Sequence, residues 1–185
     1  MAPEWIGLVL VAALLGCAGF LFNRLVRLNN LAREAWSGID VQLRRRTDLV
    51  PNLVAAVKAY AAHERGLFED LAARRSVSVA ADTVPAQAAA ERALQGSLGR
   101  LFALAEAYPD LKADQNFRKL QDQLAEIEDQ LQMARRYYNG TVRDLNVAVQ
   151  SVPDVIVARL AGFAPKPFFE IDEGEGAAPH VEFSR

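Results

Sequence analysis

Apolar residues run without a charge from Trp5 to Phe22 (WIGLVLVAALLGCAGFLF), and the chain then passes, with no proline between, into a periodic apolar pattern that begins at Leu25. At about 1.5 Å per residue such a helix spans roughly 27 Å, close to the ~30 Å hydrocarbon core of a bilayer, so residues 5–22 predict a single transmembrane helix. Beyond it Leu25, Leu28, Ala32, Ala35, Ile39 and Leu43 recur every three or four positions, with Asn29, Arg33, Asp40 and Arg44 elsewhere on the wheel, which is the pattern of an amphipathic helix. Trp36 lies beside that stripe as a packing aromatic. Asp48-Leu49-Val50-Pro51 predicts the first turn of a second helix, because Asp caps and Pro is tolerated where amides have no helical acceptor; a kink within one continuous helix is the alternative. The second helix would carry Val50, Leu53, Val57, Tyr60, Leu67, Phe68 and Leu71, with His63-Glu64 in its middle, and finish near Arg74-Arg75.

Ser76 to Pro85 holds no sustained period and is expected to connect antiparallel helices, with Thr83 capping the next one. Pro85 to Tyr108 supplies Ala90, Leu94, Leu98, Leu101, Leu104 or Ala105, and Tyr108, with Gly96 and Gly99 expected on or near the contact face, where small residues admit a close neighbour. Tyr108-Pro109-Asp110 ends it, since a residue before Pro avoids the helical region. From Asp114 the pattern is the most regular in the chain: Phe117, Leu120, Leu124, Ile127, Leu131, Ala134, Tyr138, Thr141, Leu145 and Ala148 alternate by three and four, a bundle or coiled-coil seam widened by Val142 and Val149. A single helix from Gln115 to Gln150 would be roughly 54 Å long, so the bundle is expected to be elongated. Ser151-Val152-Pro153 ends it, a short turn or two follows from Asp154 to Leu160, and Gly162 stops that. Residues 165–185 form an acidic tail expected to be disordered after about Asp172, with Phe163, Phe168 and Phe169 docking back on the bundle.

Charge sets orientation. No Lys or Arg precedes the apolar run, whereas Arg24, Arg27, Arg33 and Arg44-Arg45-Arg46 follow it, which predicts a short N-terminus, residues 1–4, outside, and a cytoplasmic helical body over 23–164. The absence of a basic n-region and the length of the apolar run favour retention over cleavage as a signal peptide. Cys17, the one cysteine, lies inside the run after Leu-Leu-Gly; lipidation there competes with the simpler reading as a small buried hydrophobe. There is then no disulfide framework and no cysteine zinc site. The net charge of -2 and the lack of a long basic run argue against nucleic acid.

Several long words of the chain resemble the LemA family of small bacterial membrane proteins: Trp36-Ser37-Gly38-Ile39-Asp40-Val41-Gln42-Leu43-Arg44-Arg45-Arg46, Asp48-Leu49-Val50-Pro51-Asn52-Leu53-Val54, Val57 to Glu64, Glu106 to Ala113, Ala134 to Asn139, and Gly162-Phe163 with Phe168-Phe169. The resemblance covers almost the whole chain. It implies a single-pass N-terminal anchor in the plasma (inner) membrane and an elongated antiparallel four-helix domain on the cytoplasmic side. It implies no catalytic reaction, and some members are linked to organising specialised internal membranes. The family shares its name with an unrelated sensor kinase, of which this chain carries no signature, having neither a Gly-rich phosphate loop nor a suitably set phospho-acceptor histidine.

Residue chemistry points the same way. His63 has Leu67 rather than a second His at i+4, and Glu126 and Glu128 diverge on a helix, so no metal site, acid-base pair, cofactor site or small-molecule substrate is expected. Asn139, Arg143 and Asn146 share one side of the long helix, either as a polar network fixing bundle register or as a partner-binding face. Arg24, Arg27, Arg44, Arg45 and Arg46 are candidates to face anionic lipid. The expectation is an all-α, membrane-anchored, non-catalytic adaptor or scaffold with an unknown protein partner or self-association. The alternatives are a membrane-organising protein acting on anionic lipid and a non-catalytic subunit of a membrane enzyme complex.

Overall fold

A computed structural model describes residues 2–170. Among them six helices and no strand are found: α1 (Ala2–Lys58), α2 (Arg65–Ala80), α3 (Val84–Glu106), α4 (Pro109–Ala113), α5 (Gln115–Gln150) and α6 (Asp154–Ala161). The all-α reading with a long apolar N-terminal helix holds. The described residues form two units, one of 2–41 with Leu131–Phe168, the other of Gln42–Gln130 with Phe169 and Glu170. The expected disorder after Asp172 falls outside the described residues.

The largest departure from the sequence pattern lies at Pro51. The chain does not begin a new helix at Asp48 but runs helically through Pro51 to Lys58. A proline inside a helix removes the amide that would bond the carbonyl four residues back and costs about 3 kcal/mol. That carbonyl belongs to Thr47, and Arg75 of α2 donates to it from Nε at 2.7 Å, with its Nη2 3.8 Å from Asp48. A donor from a neighbouring helix replaces the one the proline lacks. The break comes later, over 59–64, so His63-Glu64 lies in a turn rather than within a helix; Ala61 is buried there while Tyr60 stays exposed.

In the unit built on Gln42–Gln130, the core draws Leu49, Leu53 and Val57 from α1, Phe68 and Leu71 from α2, Leu94, Leu98, Leu101 and Ala105 from α3, Leu111 from α4, and Phe117, Leu124 and Ile127 from α5. Each fully buried side chain of this kind is worth roughly 1.5–3 kcal/mol. The expected long connection shrinks to residues 81–83, because α2 continues to Ala80 with Ser78 buried. Thr83 caps α3 as expected, its Oγ1 accepting from the Ala86 amide at 3.3 Å, with Pro85 in the first turn. Tyr108 is extended before Pro109, and Asp114 caps α5 through Oδ1 to the Phe117 amide at 2.8 Å. Gly96 and Gly99 do not lie on a contact face: both are exposed, and a Cβ at either would meet nothing within 4 Å.

In the other unit, Leu25, Ala32, Ala35 and Ile39 of α1 are buried, as are Leu131, Tyr138, Val142, Leu145, Ala148 and Val149 of α5. The alternation read from Phe117 to Ala148 is thus the buried face of α5 along its length. Trp36 packs its ring on Tyr138, centroids 5.3 Å apart. Gly162 ends α6 at φ 77, a left-handed conformation that favours glycine, and the Phe163 amide closes on the Ala158 carbonyl at 2.9 Å. Phe163 meets Phe22 edge-on at 5.9 Å, and Phe168 stays 41% exposed; Phe169, which belongs to the unit of Gln42–Gln130, is fully buried.

Apart from Leu21, which is buried near its end, the apolar run lies outside either core. No part of its most hydrophobic 18-residue window is buried, and Trp5, Leu14 and Phe20 are each 70% exposed or more. By length and composition α1 can cross a membrane.

Candidate functional site

The apolar stripe of α1 runs Ile39, Leu43, Val50, Leu53, Val57, and the position between Leu43 and Val50 in that 4-3-4-3 alternation is Arg46. On α3 the stripe Gln87, Leu94, Leu98, Leu101, Ala105 likewise passes through Glu91. Two charges occupying seam positions meet in the core. Arg46 is 1% exposed and Glu91 fully buried; Arg46 Nη1 donates to Glu91 Oε2 at 3.1 Å, and Nη2 lies 2.9 Å from Glu128 Oε1. The second Glu91 oxygen accepts from Gln87 Nε2 at 3.1 Å and from the Ser78 hydroxyl. Burial pushes the Glu128 carboxyl above its ordinary range, partly opposed by Arg46 and reinforced by Glu91. Arg46 Nε is buried without a partner.

A second polar group joins α2 to α3. Asp70 accepts from Arg74 Nε at 2.9 Å and from the Ser97 hydroxyl at 2.6 Å, and pairs with Arg100. The hydrogen bonds from Arg74 and Ser97, aided by the charges of Arg74 and Arg100, hold its carboxyl at about 2 rather than 3.8.

A third ties the segment after α6 to α5. Asn146 makes both amide hydrogen bonds to the Lys166 backbone, Nδ2 to the carbonyl at 2.9 Å and Oδ1 from the amide at 2.8 Å, in the manner of a strand pair. Tyr138 donates its hydroxyl to the Pro167 carbonyl at 3.0 Å. Burial raises the Tyr138 hydroxyl and lowers the Lys166 ammonium, the latter aided by the nearby charge of Arg33.

The residues singled out from sequence therefore do different things. Asn146 clamps the post-helical segment, Arg143 is exposed with its guanidinium 3.8 Å from Asp144, and Asn139 is half-buried on the same helix. Of the five arginines expected to face lipid, Arg46 is in the core and cannot do so, because its stripe position turns it inward against Glu91. Arg24 pairs with Asp154 at 2.6 Å, and Arg45 with Gln42 at 3.1 Å and Glu126 at 3.7 Å; Arg27 and Arg44 have exposed positions. Among the described residues no three His, Cys, Asp or Glu converge as a metal site would require. The arrangement binds helices together.

A family model described as the LemA family matches residues 35–183. The chain is similar to Magnetosome protein MamQ of Magnetospirillum gryphiswaldense, 25% identical over 194 aligned residues that cover 88% of this chain and 71% of that protein. It is likewise similar to Magnetosome protein MamQ 2 and MamQ 1 of Paramagnetospirillum magneticum, each 25% identical over 191 residues, 89% of this chain and 70% of the relative.

Proposed function

From membership of the LemA family, to which this chain belongs, we propose that it is a membrane-anchored, non-catalytic adaptor that holds a folded helical body at the membrane surface for a protein partner. The observation that carries this reading is the continuity of α1. One helix contains both the exposed apolar run and, without interruption at Arg24 or Pro51, residues buried in the folded units. An anchor on a flexible linker would deliver its cargo anywhere within reach; an anchor built into the core fixes the orientation of whatever binds the body.

The lipid-organising alternative loses support from Arg46, buried in an ion cluster, and from the ion pairs of Arg24 and Arg45. The charge bias supports a cytoplasmic body, since all arginines near the apolar run follow it. Accessibility of a tag fused after Arg185 tests orientation: a tag reached only after the membrane is permeabilised from outside supports it, and one labelled in intact cells overturns it. Adaptor function is tested by solubilising the full-length protein from its own membrane in mild detergent and comparing what co-purifies with a version lacking residues 5–22. A stoichiometric partner that disappears with the anchor supports the adaptor; a pure homo-oligomer would shift the reading to self-assembly.

A further inference from the structure

α6 has its amphipathicity inverted. A helix packed on a protein and facing water buries its apolar side. α6 instead buries Asp154 and Ala158, one turn apart, and exposes Ile156 at 59% and Leu160 at 86% on the opposite side, extended by Val152 at 80% just before the helix. The buried side is fixed by an ion pair, Asp154 Oδ2 to Arg24 Nη1 at 2.6 Å, so the large apolar side chains are held outward rather than left loose.

The position of α6 identifies what covers that face. A groove of about 420 Å³ lies between Ala18, Gly19 and Phe22 of α1 and Val157, Leu160 and Ala161 of α6. Three of those residues are the last turn of the membrane-crossing run, and the Phe22–Phe163 contact lies just beyond α6. A helix beside the end of a crossing sits at the depth where hydrocarbon gives way to headgroups. Arg159 in its last turn, with exposed Arg27 shortly after the run, supplies cations where headgroup phosphates would be, while Arg24 is taken up by Asp154.

We infer that α6 is an interfacial membrane helix, its Val152, Ile156 and Leu160 face buried ~5–10 Å into the headgroup–acyl boundary and its groove against α1 filled by lipid acyl chain. The inference rests on α1 crossing the membrane. In that arrangement the protein grips the bilayer at two angles, one helix through it and one on its surface, which fixes rotation about the crossing as well as depth.

The test places an environment-sensitive fluorophore on single cysteines in full-length protein carrying Cys17→Ala, reconstituted in vesicles of phosphatidylethanolamine and phosphatidylglycerol. Positions are Leu160→Cys and Ile156→Cys on α6, Leu10→Cys within the crossing and Glu126→Cys as an exposed polar control. All replace exposed side chains, so folding is spared. The expected result is blue-shifted emission at 156 and 160, lost on addition of doxyl-labelled lipid and insensitive to aqueous iodide, with the control behaving oppositely. Water-like, iodide-quenched emission at 156 and 160 while position 10 is lipid-quenched overturns the α6 inference alone. Blue-shifted emission without lipid quenching at 156 and 160 also overturns it and assigns the face to protein. A position 10 that is not lipid-quenched overturns the crossing and this inference with it.

Discussion

Arg46→Met isolates the ion cluster in the core. The substitution keeps the length of the aliphatic stem but removes the guanidinium that neutralises Glu91, which has no access to water and keeps the neutral partners Ser78 and Gln87. Breaking a buried pair from one side costs about 3–5 kcal/mol, because the remaining charge keeps its desolvation penalty and loses its compensation. At about 2–4 °C per kcal/mol for a chain of this size, the melting midpoint should fall by roughly 6–20 °C. Glu91→Leu should cost less, roughly 1–3 kcal/mol, since Arg46 retains Glu128, which is one-third exposed and can share its charge with solvent. The double variant Arg46→Met with Glu91→Leu should return to within about 1 kcal/mol of wild type, as replacing both members of a buried pair by apolar groups is often neutral. The assay is urea denaturation followed by circular dichroism in mild detergent, run as a double-mutant cycle. A loss below about 1 kcal/mol for Arg46→Met, or a double variant as unstable as the sum of the singles, would refute the pairing.

Three further outcomes follow from the same geometry. Asn146→Ala should cost about 1–2 kcal/mol by removing two hydrogen bonds, and its specific mark is loss of hydrogen-exchange protection at the Lys166 amide; unchanged exchange there would contradict the clamp. Arg75→Met should leave the Thr47 carbonyl unpaired and destabilise by about 1–3 kcal/mol, and combining it with Pro51→Ala should recover most of that loss, because the restored amide refills the carbonyl. Asp70, held at about 2 instead of 3.8, contributes stability that is fully present above pH 3.8 and lost as pH falls through 2. Asp70→Asn should therefore flatten the acid limb of the stability curve there, and an unchanged limb by urea denaturation at successive pH values would count against the cluster.

What the sequence disclosed and what it withheld divide by range. The apolar run, the seam from Phe117 to Ala148, the cap at Thr83 and the stop at Gly162 each depend on residues within a few positions, so the local pattern sufficed. Pro51 misled because its helix is completed by Arg75, 28 positions from the carbonyl it serves. The turn at 59–64 has no Gly or Pro to announce it, and the alanines around Tyr60 are good helix formers. Asn146 was readable as a polar residue near the core, but its partner, the backbone at Lys166, carries no side-chain signal. The ion cluster did have a signal: Arg46 interrupts an otherwise apolar three-four stripe, and Glu91 stands in one that is apolar from Leu94 on. Grouping Arg46 with its neighbours as a basic run obscured it.

The central claim is that anchor and body share one unbroken helix. Residue-resolved hydrogen exchange of the full-length protein in lipid nanodiscs tests it along α1. The account predicts slow exchange continuously from the apolar run to Val57, including residues 23–30 after the crossing and residues 46–50 before the proline, with rapid exchange beginning only at 59–64. A gap of fast-exchanging amides between Phe22 and Leu31 would mean a hinged tether and would contradict it.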